Sequence, residues 1–304
     1  MKDILKDLAS RVLVASGAQG TELGKRGFPL EENYAVWGLK HPDALKDIIL
    51  RYVECGVDIL SASCTSSNRF RLEHFGIGHH AYRLSREMVE LTKKYCPAHC
   101  YVGGSLSDIG HLLKPWGEVS FEAAYDSYRE QVLAIAEGGA DFVWIMTMTD
   151  VNTAVAAIKA VKENSEMPVF ASMAFDSTPK GPKTMMGISP AEAAEKLERA
   201  GADVIGLNCG GLFLDEVGGA LKEMAQCSPK PLISKPNAGI PYVVEGETTH
   251  PVSADEMACH VKEWIDNGAR VISGCCGSGP AHISRISKAA KNCVQMDYQQ
   301  NKVD

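Results

Sequence analysis

Three cysteines stand where a chain can do chemistry with them. Cys275 and Cys276 are adjacent in Ser273-Gly274-Cys275-Cys276-Gly277-Ser278-Gly279, after the apolar pair Val271-Ile272 and before Pro280. Cys209 has similar surroundings in Val204-Ile205-Gly206-Leu207-Asn208-Cys209-Gly210-Gly211. Each thiol follows a short apolar run, on the turn leaving a strand, with glycines that let the backbone come close to whatever the thiols hold. Three thiolates suit a divalent ion that tolerates soft ligands, Zn2+ first, with its fourth position open. A structural zinc site would be closed by a fourth protein ligand at a C-x2-C-like spacing, and these cysteines lack that spacing. Such a centre, with one net negative charge, is a weak acid toward water but a good carrier for a substrate thiolate. A bound thiol loses its proton well below its ordinary pKa of about 8.5 and stays nucleophilic. Alkyl transfer to sulfur is the chemistry implied. Spacing alone leaves open buried inert thiols and a redox pair, the latter disfavoured because vicinal cysteines rarely form a relaxed disulfide.

The totals fit a globular enzyme. Across 304 residues, 45% are hydrophobic and 23% charged, enough to bury a large core. A net charge of −7 argues against a nucleic-acid surface. No apolar run approaches the roughly 20 residues that span a bilayer, and the mixed-charge start Met1-Lys2-Asp3-Ile4-Leu5-Lys6-Asp7 has no signal-peptide core, so a cytoplasmic protein is expected. Thiols stay reduced there, and clustered ones among the 10 cysteines are ligands or catalytic groups more often than disulfides. Cys55, Cys64, Cys96, Cys100, Cys227, Cys259 and Cys293 read as incidental thiols; Cys96 and Cys100 near His99 are a weak candidate for a surface metal site.

The elements that must position the thiols alternate regularly. Short β-branched runs at Val12–Ala15, Asp58–Ser61, Tyr101–Gly104, Phe142–Met146, Val169–Met173, Val204–Leu207, Leu232–Lys235 and Arg270–Ser273 read as strands. Helical patterns follow near 42–55, 80–95, 120–138, 150–163, 189–200, 214–226, 253–267 and 280–291. Ser189-Pro190 and Ser253 with Glu256 mark helix starts. Glycines 56, 139, 201 and 268, each shortly before a strand, read as helix C-caps. Eight strand–helix repeats predict one α/β domain over 1–304, core about 10–292: a single (β/α)8 TIM barrel with the zinc site at its C-terminal mouth. An open doubly wound sheet is disfavoured, since no Gly-x-Gly-x-x-Gly follows the first strand. Long connections over 18–40 and 105–119 fall on the mouth side.

These stretches carry a resemblance. Gly17-Ala18-Gln19-Gly20-Thr21-Glu22-Leu23, Gly104-Ser105-Leu106, Gly206-Leu207-Asn208-Cys209, Pro236-Asn237-Ala238-Gly239-Ile240-Pro241 and Gly274-Cys275-Cys276-Gly277-Ser278-Gly279-Pro280-Ala281-His282-Ile283 resemble, in register from about residue 10 to 290, the homocysteine S-methyltransferase family. The likeness is strongest to the homocysteine-binding modules of cobalamin-dependent methionine synthases. It implies a TIM barrel, zinc held by the residues matching Cys209, Cys275 and Cys276, and substrate contacts at Ser16, Gly17, Met146, Asp150, Asn208 and Asn237.

The chain departs from the family pattern where the resemblance places the grip on homocysteine's ammonium. Ser16 stands for the usual aspartate, and Met146 for the glutamate of Glu-Thr-x-x-Asp, with Asp150 kept. Losing both removes charge-assisted hydrogen bonds of about 1.5–3 kcal/mol each. The second-strand turn is Ala62-Ser63-Cys64-Thr65-Ser66-Ser67-Asn68 instead of Thr-Asn-Thr-Phe. An acceptor thiol other than homocysteine, or homocysteine held differently, is the expectation. No Asp-x-His-x-x-Gly corrinoid motif occurs, so the expected donor is methylcobalamin on a separate corrinoid protein, with a sulfonium or ammonium donor, or a thiol-binding barrel without catalysis, as alternatives. His111, His250 and His282 read as structural, because a zinc-held thiolate needs no general base.

Overall fold

Strand residues here are buried on both faces, and their side chains divide by the period-two rule into an inner and an outer set. Along Phe142–Met148, Phe142, Trp144 and Met146 join one apolar cluster, whereas Val143 and Ile145 join another. The same split separates Leu13 and Ala15 from Val14, and Val204 from Ile205 and Leu207. The inner cluster fills a barrel; the outer one packs against surrounding helices. The computed structural model describes residues 2–29, 31–244 and 247–300; the ends of the expected 1–304 domain, residues 1 and 301–304, lie outside them.

The barrel strands are β1 (Leu13–Val14), β2 (Ile59–Ala62), β3 (Tyr101–Leu106), β4 (Phe142–Met148), β5 (Val169–Met173), β6 (Val204–Asn208), β7 (Leu232–Lys235) and β10 (Ala269–Ile272). An antiparallel hairpin, β8 (Tyr242–Val244) and β9 (Glu247–Thr249), is inserted after β7. The eight barrel strands run parallel in the order β1-β10-β7-β6-β5-β4-β3-β2. A parallel bridge between Ala15 and Ile59, with the Ser16 N–H donating to Ile59 O at 2.9 Å, closes β1 onto β2. All eight expected strands are present to within about two residues.

The expected helices are present as α4 (Pro42–Glu54), α6 (Ala81–Tyr95), α7 (Phe121–Glu137), α8 (Val151–Asn164), α9 (Pro190–Ala200), α10 (Leu214–Cys227) and α13 (Pro280–Gln300). The one expected over 253–267 is divided into α11 (Ala254–Cys259) and α12 (Val261–Asp266), because His260 between them takes ψ −11, a tight turn that restarts the helix. Glycines 56, 139, 201 and 268 have positive φ, as C-caps require. Short helices lie in what read as plain connections: α1 (Ile4–Ser10), α2 (Gln19–Gly24), α3 (Tyr34–Lys40) and α5 (Arg69–Glu73).

The barrel interior is graded along its axis. At the strand starts, Leu13, Tyr101, Phe142, Phe170, Val204 and Val271 pack with Ile4 and Leu8 of α1, which plugs that end. At the strand ends the inward positions turn polar: Ser61, Ser105, Ser172, Asn208, Lys235 and Ser273, all buried. Hydrophobic burial therefore closes the floor, and hydrogen-bonding groups gather at the mouth.

Candidate active site

The cysteine after β6 and the pair after β10 converge. The sulfurs of Cys209, Cys275 and Cys276 all lie within 4.8 Å of one another, and this is the metal-ready group found among the described residues. Cys209 Sγ and Cys276 Sγ are 3.5 Å apart. Cys96 and Cys100 form no such group; the Cys100 thiol is buried and bonded to Val57 O.

Main-chain hydrogen bonds fix the two cysteine turns on their strands. Cys209 N–H donates to Lys235 O at 3.1 Å and Cys275 N–H to Pro236 O at 2.7 Å. Asn237 spans both turns: its Nδ2 donates to Gly210 O at 2.7 Å, and its Oδ1 accepts from Cys276 N–H at 3.0 Å. Gly17 explains how the first turn lies against the Cys275–Cys276 turn. A Cβ there would sit 2.3 Å from Ser278 O, and the neighbouring Ala18 N–H donates to the same oxygen at 3.0 Å.

Asn208 is the buried hub. Its Oδ1 accepts from Thr147 N–H and from Ser172 Oγ, each at 2.6 Å; its Nδ2 donates to Thr147 Oγ1 at 2.7 Å and reaches Cys275 Sγ at 3.7 Å. Thr147 and Cys209 each adopt φ +58, the left-handed region that side chains rarely occupy. At Thr147 the β4–β5 register shifts, and this bulge moves Met148 into the outer cluster.

The other expected contact residues are placed as follows. Ser16 is fully buried, its Oγ accepting from Ser61 N–H at 3.1 Å. Met146 is 7% exposed, inside the barrel with Trp144. Asp150 caps α8, accepting from Asn152 N–H and Thr153 Oγ1, each at 3.0 Å. His250 packs against Gly277, His282 bonds Val252 O, and His111 lies beside Phe70.

Sequence reasoning missed Lys235. Its ammonium is buried at the mouth, donating to Ser16 O at 2.8 Å and Gly274 O at 2.6 Å. Burial lowers its pKa, and the three thiols draw it back up. Hydrogen bonds from Cys209 and Cys276, with Lys235 and Asn208 nearby, hold the Cys275 thiol well below its ordinary value. Cys209 is pushed up by sharing its proton with the other two. Cys276 is eased by its bond to Cys209, but the neighbouring Cys275 and burial raise it to about 12. The only signal for Lys235 was a lysine ending an apolar strand.

Fold and site together define a β/α barrel with a cluster of three cysteine sulfurs at its C-terminal mouth. The sequence profile described as Homocysteine S-methyltransferase matches residues 13–290, and the chain belongs to that family, and so to the methyltransferases. Methionine synthase of Mycobacterium leprae is 28% identical over 309 residues, covering 96% of this chain and 25% of that protein. The Mycobacterium tuberculosis methionine synthase is 27% identical over 315 residues, covering 98% of this chain and 26% of that protein. The chain thus spans about a quarter of the length of these curated relatives. Among solved structures, the homocysteine methyltransferase MmuM from Escherichia coli in its metallated form superposes with a TM-score of 0.77 at 21% identity, covering 94% of this chain and 99% of that one. At that identity the likeness speaks for the fold. Among the described residues no helix is long and apolar enough to cross a membrane.

Proposed function

We propose that this chain is a zinc-dependent S-methyltransferase that transfers a methyl group to a small-molecule thiol, homocysteine or a relative of it, from a methylcorrinoid carried on a separate protein. The observation that carries this reading is the convergence of three thiols at the mouth of a barrel of this family. The donor set fits the ion. Tetrahedral zinc with Zn–S near 2.3 Å spaces its sulfurs about 3.8 Å apart, and the observed 3.5 Å pair and 4.8 Å limit bracket that value. Cys209, Cys275 and Cys276 would hold the zinc, which when bound would keep the acceptor sulfur deprotonated and nucleophilic at neutral pH. In the transfer the thiolate electron pair forms the new S–C bond while the donor–carbon bond breaks, its pair staying on the donor.

The protein's own part is positional. Asn208 and Asn237 fix the cysteine turns, and Gly17 admits the first turn to them. Ser16 and Met146 bring no charge to the pocket, and Asp150 spends both oxygens on α8. The acceptor's far end is therefore not gripped by carboxylates at the two substituted positions, which favours a thiol whose amino group is absent or held by other groups. Residues 1–304 are taken as one barrel domain, in line with the family match over 13–290. A macromolecular donor is supported by the placing of exposed large apolar side chains. Phe75, Trp116, Met185, Phe213, Tyr242 and Val243 all stand on mouth-side loops, as expected of a surface that receives a partner.

Single-turnover demethylation of methylcobalamin, followed by absorbance with zinc-loaded protein and a thiol panel that includes homocysteine and 4-mercaptobutyrate, tests the reading. Transfer to at least one thiol is expected. Cys276→Ser is expected to cut both zinc content and transfer to roughly a tenth or less. Failure of every thiol, with methylcobalamin and with a sulfonium donor alike, sinks the proposal.

A further inference from the structure

The transfer reading leaves Lys235 unexplained. It is the last inward residue of β7 and is 4% exposed. Its Nζ donates to Ser16 O at 2.8 Å, Gly274 O at 2.6 Å and Ser273 Oγ at 3.3 Å. Two carbonyl oxygens and a hydroxyl surround the nitrogen, partners that the three hydrogens of an ammonium can fill. None of those acceptors carries a charge, and among the described residues no carboxylate pairs with Lys235. A buried ammonium with no counter-charge is strongly disfavoured, so its partner has to lie close by. The groups that could supply it are the thiols of Cys275, Cys276 and Cys209, on the two turns to which Lys235 is joined. The connections are direct at both ends of the residue: Gly274, which the ammonium holds, precedes Cys275, and the Lys235 carbonyl accepts from Cys209 N–H at 3.1 Å.

We propose that Lys235 is the built-in counter-ion of the thiolate centre. Three thiolates on a divalent ion leave one negative charge, and the fixed ammonium beneath them cancels it while its hydrogen bonds hold the first and last strand turns together. All its hydrogens being engaged within the protein, Lys235 touches no substrate and is a positioning residue. The assignment rests on the zinc reading above and deepens it, since it names the group that offsets the net charge of three thiolates at the mouth.

The test separates charge from packing. Lys235→Met removes both charge and hydrogen bonds, Lys235→Gln keeps a donor without the charge, and Lys235→Arg keeps the charge. Zinc affinity of each folded protein is measured by competition with a chromophoric chelator, metal-free stability by urea unfolding, and the thiolate-to-cobalt absorption band after cobalt substitution. The Met and Gln variants are expected to bind zinc about ten- to hundred-fold more weakly, as loss of outer-shell partners does, with a shifted cobalt band; Arg restores most of the affinity. A structural role alone would lower metal-free stability and leave the zinc affinity of the folded variants unchanged, and that result overturns the proposal. Should Met fail to fold, Gln alone decides. If the parent protein binds no zinc, the functional reading itself fails, an outcome distinct from equal binding by parent and variant.

Discussion

Cys209 and Thr147 sit in a backbone region that costs about 1–3 kcal/mol per side-chain-bearing residue, and Asn208 ties the two together. Its amide satisfies a backbone N–H, two hydroxyls and a thiol in a fully buried place. Asn208→Ala would take away the partner of the Thr147 N–H and of the Thr147 hydroxyl, at roughly 1–3 kcal/mol for each one left unpaired. A loss of about 3 kcal/mol or more in chemical unfolding is expected, with zinc affinity falling alongside. Unchanged stability would mean that water replaces the amide. The cysteines were legible in the sequence because the chemistry is in the residue type and the flanking glycines announce the turns. The roles of Asn208 and Lys235 were not, because a buried polar residue is defined by partners that arrive from distant segments: Thr147 for one, Ser16 and Gly274 for the other. Ser16 and Met146 were visible as departures, but only the fold shows that one is spent on the β2 backbone and the other on the barrel interior.

At the scale of elements, the eight strands and their long helices could be read because each carries a period, and the glycine C-caps and serine N-caps mark the boundaries. The four short helices α1, α2, α3 and α5 could not. Each has seven residues or fewer, too short to be stable by itself, and exists through tertiary contacts. Helix α2 shows how. It has no side-chain N-cap, but its buried Glu22 meets Lys25 at 2.8 Å and Arg26 at 3.1 Å beside the Gly279 turn. Burial alone would raise the Glu22 pKa, yet the two bases outweigh it and the net shift is downward from 4.5. A carboxylate with a depressed folded pKa contributes stability that is full above its unfolded value and is lost as pH falls through the folded one. The stability gap between the parent and Glu22→Gln is therefore expected to be widest at pH 6–7, which lies well above 4.5, and to narrow as pH drops below that value. Urea unfolding across that range checks it; a constant gap would contradict the assignment.

For the whole molecule, the decisive asymmetry is between the two ends of the barrel. Exposed Trp116 and Val243 stand on loops of the mouth, and as interface anchors they should each contribute about 1–2 kcal/mol to docking of a protein-borne donor. Trp116→Ser combined with Val243→Asp is expected to slow methyl transfer from a corrinoid protein about tenfold or more, while transfer from free methylcobalamin keeps its rate. Equal slowing of both would place these residues in the reaction pocket instead of on a docking surface.

The other end has a consequence of its own. Ile4 and Leu8 of α1 pack with the aromatic layer above them and fill the floor among the described residues, which leaves the mouth as the doorway to the site. The protein-borne donor proposed above would cover that doorway when docked, so the thiol would have to enter before it and the methylated product leave after it: first in, last out.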